Sequence, residues 1–167
     1  VQISSKVVTI TMSSNSFDAT DTITLSYTAD LSVQNKFLAT EGGGVAPNFA
    51  PQSVINKVPP ALVSKHVTGV RLIALEYNVP LTAANMGTGK AQFIVKIDGT
   101  AVGNANVDSV TFSSNTVVLT LASSVTAMTA GSSVTIQYTA GSTESGRLKT
   151  STGAFAANIP ADTAVVN

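Results

Sequence analysis

Thr22 to Ala29 reads TITLSYTA, and Ser133 to Ala140 reads SVTIQYTA. A chain that writes one segment twice is expected to fold it twice. In the first copy Ile23, Leu25 and Tyr27 alternate with hydroxyl residues, and Val134, Ile136 and Tyr138 alternate with polar residues in the second. That period of two puts the apolar set on one face of a strand and the polar set on the other. The segments before them keep the same habit. Val8, Ile10 and Met12 alternate with Thr9 and Thr11, and Val117, Leu119 and Leu121 with Val118 and Thr120. β-Branched residues dominate, as suits a pleated, half-buried surface. Helical spacing is sustained nowhere, so the expected class is all-β.

The likeness runs well past these strands. Ser4-Ser5-Lys6 corresponds to Ser113-Ser114-Asn115, and two residues inserted near Ala127–Gly131 then lengthen the offset. Leu38–Asn56 parallels Leu148–Asn167, with Asn48 opposite Asn158 and Asn56 opposite Asn167. Residues 1–56 therefore repeat 110–167, while 58–109 occur once. A period of about 110 residues suits tandem antiparallel β-sandwich modules of immunoglobulin-like size. The expected organisation is about one and a half modules: the C-terminal half of one over residues 1–57, completed by another chain or segment, then a complete module over 58–167. Lys57-Val58-Pro59-Pro60 reads as a linker, because proline stiffens the chain and offers no donor to a sheet. Gly69–Tyr77 is apolar on both faces and reads as a central strand. Phe93, Val95 and Ile97 alternate up to Asp98-Gly99, a dipeptide that favours a type I′ hairpin turn, with Ala101 and Val102 on the return strand. Starting at Val1 without an initiator Met, the sequence reads as a mature product or a cut piece.

Composition narrows the function classes. Nine basic and nine acidic groups cancel, and charged residues make up 11% of the chain. Neither a basic stripe for nucleic acid nor a polybasic face for an anionic membrane is available. Ser, Thr, Val and Ala are abundant, so the surface is rich in hydroxyls and poorly defended by charge against association. Cysteine is absent, which removes disulfides and thiolate chemistry. No apolar run is long enough for a transmembrane helix.

Four segments carry the closest likeness to a known family. Gly69–Glu76 (GVRLIALE), Phe93–Val102 (FIVKIDGTAV), Thr116–Ser124 (TVVLTLASS) and Gly131–Thr139 (GSSVTIQYT) resemble the SWM repeat of cyanobacterial swimming-motility and other large bacterial surface proteins. Gly153-Ala154-Phe155-Ala156 is similar to the closing segment of that repeat. The resemblance implies an extracellular, multimodular protein with structural or adhesive work and no enzymatic activity.

Candidate chemistry is sparse. His66 is the only histidine and has no HxxxH, GxSxG or cysteine spacing around it, so it reads as a surface or strand-end residue. Asp18 and Asp21 are the weak metal candidates, for calcium. Hard cations need six to eight oxygens, and Asp is also an ordinary turn former. Glu41-Gly42-Gly43-Gly44 lacks the helix and lysine of a phosphate cradle and reads as a flexible loop. Tyr27, Tyr77 and Tyr138 suggest either a sugar-stacking platform or core packing, and the alternation favours the core. No N-glycosylation sequon occurs.

The resulting expectation is an extracellular filament or surface array. Its modules join end to end, either as a homopolymer or as neighbouring repeats of one chain, by β-strand complementation. The assembly interface is expected at Ile10, Met12, Ile23, Leu25 and Tyr27. The alternative is an adhesin or carbohydrate-binding module of a large cell-surface repeat protein, with a glycan as partner.

Overall fold

The computed structural model describes residues 1–13, 16–33, 37–83, 90–103 and 106–167. Its strands are β1 (Gln2–Ser4), β2 (Val7–Thr9), β3 (Ile23–Tyr27), β4 (Phe49–Val54), β5 (Leu62–Gly69), β6 (Leu72–Tyr77), β7 (Phe93–Ile97), β8 (Thr100–Val102), β9 (Val107–Ser113), β10 (Thr116–Leu121), β11 (Val134–Tyr138) and β12 (Ile159–Val165). Among the described residues, short 3-10 turns lie at Lys90–Gln92 and Glu144–Gly146.

From β5 onward the strands form two antiparallel four-stranded sheets, ordered β5-β6-β10-β9 and β12-β11-β7-β8. Alternation sets their packing. Val117, Leu119 and Leu121 of β10 point inward from one sheet, and Val134, Ile136 and Tyr138 of β11 from the other. The two inner faces meet in one core to which both sheets contribute, the arrangement of a β-sandwich. At about 1.5–3 kcal/mol for each fully buried aliphatic or aromatic side chain, that core is the main stabilising element of the chain. Asp98 and Gly99 have φ of 51° and 80°, the pair of left-handed residues a type I′ turn requires, and they join β7 to β8. The segment after β12 closes the two sheets at one edge. Val166 lies parallel to β5, donating its N–H to the Lys65 carbonyl (3.1 Å) and accepting from Val67 (2.8 Å).

Residues 1–57 repeat the second half of this architecture in register. β1 pairs with β2 through Gln2↔Thr9, Ile3↔Val8 and Ser4↔Val7, and β9 with β10 through Thr111↔Val118, Phe112↔Val117 and Ser113↔Thr116. Both hairpins turn on a serine with positive φ, Ser5 at 55° and Ser114 at 50°. β3 pairs with β4 as β11 pairs with β12 from Ile23↔Val54 through Leu25↔Gln52; a bulge then adds one more residue to the second copy.

The tyrosine hydroxyls repeat as well: Leu38 donates its N–H to Tyr27 Oη, and Leu148 donates to Tyr138 Oη. Asn48 and Asn158 each accept from an alanine N–H, Ala29 and Ala140. The glycine run is not a loose loop. Thr40 Oγ1 accepts from Gly44 N–H and Gly43 sits at φ 80°, matching the turn at Thr150 with Gly153 at φ 85°. The threonine hydroxyl orders what glycine alone would leave free.

Candidate assembly interface

What distinguishes the two copies is their neighbours. β10 is bonded to β9 on one side and β6 on the other, and β11 lies between β12 and β7. β2 is bonded to β1 alone and β3 to β4 alone. Nothing among the described residues stands where β5–β8 would stand against them. With one partner missing, β2 is assigned as strand only over Val7–Thr9, whereas β10 continues to Leu121. Ile10 and Met12 continue the alternation without the strand. An unpaired edge presents a row of N–H and C=O groups that invite another strand.

Side-chain exposure follows the same division. Apart from Pro60, every buried aliphatic or aromatic side chain among the described residues lies between Ile73 and Val165. At matched positions Ile10 is 49% exposed and Leu119 0%, and Met12 is 50% exposed and Leu121 2%. Phe17 is 46% exposed where Met128 is 3%. Ile10, Met12, Ile23 and Leu25 line one hollow, joined by Phe17 and Val54. Tyr27 lines the adjoining hollow, and the two share Val8 and Ile10. All five residues singled out from the sequence therefore border one continuous apolar trough between β2 and β3. Phe17 and Val54 were missed, although the offset of the second repeat places them opposite Met128 and Val165, both buried.

Backbone groups tell the same story. In the second copy the earlier strands and loops supply partners: Tyr77 donates to the Asn115 carbonyl, Leu121 to Arg71, Met128 to Val70, Asp98 to Ser133 and Thr139 to Gln92. The counterparts in the first copy are the carbonyls of Lys6 and Thr22 and the N–H groups of Met12, Phe17 and Thr28. None of them has a backbone partner among the described residues.

The remaining candidates find ordinary places. Asp18 and Asp21 stand where the second copy has Thr129 and Ser132, and they do the same work. Asp21 Oδ2 accepts from Asp18 N–H as Ser132 Oγ accepts from Thr129 N–H. Hydrogen bonds from the Thr20 backbone and hydroxyl hold the Asp18 carboxyl below the usual carboxylate range; desolvation opposes them, and a hydrogen bond from Asn78 adds to the lowering. No three His, Cys, Asp or Glu side chains come together in a metal-binding group among the described residues. His66 sits half-exposed on β5, 4.0 Å from Glu76. Ser64 Oγ donates a hydrogen bond to Glu76 Oε2. Tyr77 and Tyr138 are buried and Tyr27 is half-buried, so the three do not form an exposed stacking platform.

The two repeats touch at a polar junction. Asn56 Nδ2 donates to the carbonyls of Asp18 (2.7 Å) and Asp21 (3.0 Å), and its Oδ1 accepts from Val58 N–H. Thr152 donates to the Asn56 carbonyl (2.8 Å), and Asn78 donates to Asp18 Oδ1 (3.0 Å). In the second copy Asn167 holds the Thr129 and Ser132 carbonyls in the same manner.

Residues 55–143, just over half of the chain, match the SWM repeat, described as "Putative flagellar system-associated repeat". The chain belongs to the SWM repeat family. The SWM match runs from the end of the first copy through β11, so it takes in the strands β5–β8 that occur once, together with β9, β10 and β11. No curated protein and no solved structure matches the chain.

Proposed function

We propose that this SWM repeat chain is a non-enzymatic, extracellular structural protein, whose β-sandwich modules join end to end in a filament or surface array. Residues 1–57 are the second half of a module, and the joint is made when strands from a neighbouring module fill the trough between β2 and β3. The observation that carries this reading is the contrast at matched positions. Among the described residues, nothing covers Ile10 and Met12 as Leu119 and Leu121 are covered. A description tied to flagellar systems supports a place in a motility-related surface structure. The polar junction at Asn56 supports end-to-end joining, because it fixes one module against the next through four hydrogen-bonded residues.

Hydrogen exchange and sedimentation of the 167-residue chain test the reading. The amides of β2 and β3 should exchange far faster than those of β10 and β11, and the chain should associate as its concentration rises. A chain that stays monomeric at high concentration with β2 and β3 protected would overturn the proposal.

A further inference from the structure

The chain contains two second halves, β1–β4 and β9–β12, but a single first half, β5–β8, which is already bonded to β10 and β11. A copy that lends its β5–β8 to a neighbour uncovers its own β10 and β11. However many copies assemble, as many second halves remain open as there are copies. Resting on the complementation reading above, we infer that the occupant of the trough is a first-half segment supplied from outside these 167 residues: two antiparallel hairpins with the apolar pattern of β5–β8.

The complete module dictates how that segment sits. β6 lies against β10 with Leu75 opposite Val117 and Ile73 opposite Leu119, and β7 against β11 with Val95 opposite Ile136 and Phe93 opposite Tyr138. Carried to the first copy, the donor residues equivalent to Leu75 and Ile73 face Val8 and Ile10. Those equivalent to Val95 and Phe93 face Leu25 and Tyr27. An aromatic residue at the last position would meet Tyr27 as Phe93 meets Tyr138, with ring centroids 4.9 Å apart. A β5-like strand of the donor would take Ile55 as β5 takes Val166, and Ile55 is exposed for the purpose. The partner is thus a β-segment of this same repeat type, recognised through backbone hydrogen bonds and alternate apolar side chains.

The test is an extended chain. A second copy of residues 58–109 is placed before Val1, so that Ser109 leads into Val1 as it leads into Val110. Amide exchange in residues 7–12 and 23–28 is expected to slow by about 100-fold or more relative to the unextended chain, and association is lost. Leu25→Asp in the extended chain should restore fast exchange at these positions. Residues 58–109 added as a separate polypeptide provide the same readout in trans if the extended chain precipitates. Fast exchange at these positions in both formats, with β10 and β11 still protected, overturns the donor inference and leaves the open trough standing. Protection that appears in the unextended chain only on association makes a second copy the occupant, and also overturns it. Protection in the unextended monomer sinks the complementation reading itself.

Discussion

Leu25 and Ile136 occupy the same position in two copies of one hairpin, yet Leu25 is 40% exposed and Ile136 1%. Sequence alone does not separate them, since both follow the same alternation. The strand across from Ile136 does. Replacing Ile136 by Asp would bury a charge without a partner and should cost more than about 4 kcal/mol, enough to unfold the sandwich. Leu25→Asp should change the stability of the sandwich in urea by less than about 0.5 kcal/mol, and it should abolish self-association in sedimentation.

The buried tyrosines predict opposite responses to losing a hydroxyl. Tyr138 Oη accepts the Leu148 N–H at 2.9 Å. Tyr138→Phe strands that amide and should destabilise the fold by about 1–3 kcal/mol. The Tyr77 hydroxyl is buried with no hydrogen-bond partner among the described residues. Tyr77→Phe should therefore be neutral, or stabilising by up to about 1 kcal/mol. Paired urea melts of the two variants check both signs.

Alkaline pH should act through the same pair. Burial pushes the Tyr77 hydroxyl far above its ordinary range and raises that of Tyr138 too, although the Leu148 hydrogen bond opposes the second shift. A raised value means the folded state holds the proton more tightly than the unfolded chain. Stability should be flat below the ordinary tyrosine value of about 10 and fall as pH rises beyond it. Urea midpoints across that range would show the fall, and Tyr77→Phe should reduce it.

Asp18 and Thr152 predict a change in coupling without a change in fold. Asp18 Oδ1 accepts from Asn78 across the junction, and Thr152 donates to the Asn56 carbonyl. Asp18→Ala together with Thr152→Ala should leave the melting of residues 58–167 within about 0.5 kcal/mol of the parent. The double variant should also show a larger radius of gyration in X-ray scattering, as the two repeats separate.

Much of this fold is legible where side chains act locally. The tyrosine strands come from period-two alternation, and the hairpin at Asp98-Gly99 from the two residues most at ease with positive φ. β5 is not legible. Its Ser64-Lys65-His66 stretch breaks the apolar pattern, because this edge strand needs few buried side chains and is held by β6 and Val166. Gly69–Tyr77 reads as one strand by its apolar run, but Gly69 ends β5 and Val70-Arg71 turn the chain into β6. The order of the glycine run is hidden for a related reason: it depends on Thr40, upstream of the glycines themselves. The trough residues Ile10, Met12, Ile23, Leu25 and Tyr27 can be named from the sequence because the repeat supplies a covered counterpart for each.

The parallel contact between Val166 and β5 sets how a module answers tension. Its two chain ends leave from opposite ends of that contact, so stretching slides the paired segments past each other along their length. Both hydrogen bonds, Val166 to Lys65 and Val67 to Val166, are then strained together in shear instead of being unzipped in turn. A thread of such units would meet a pull with its strongest geometry.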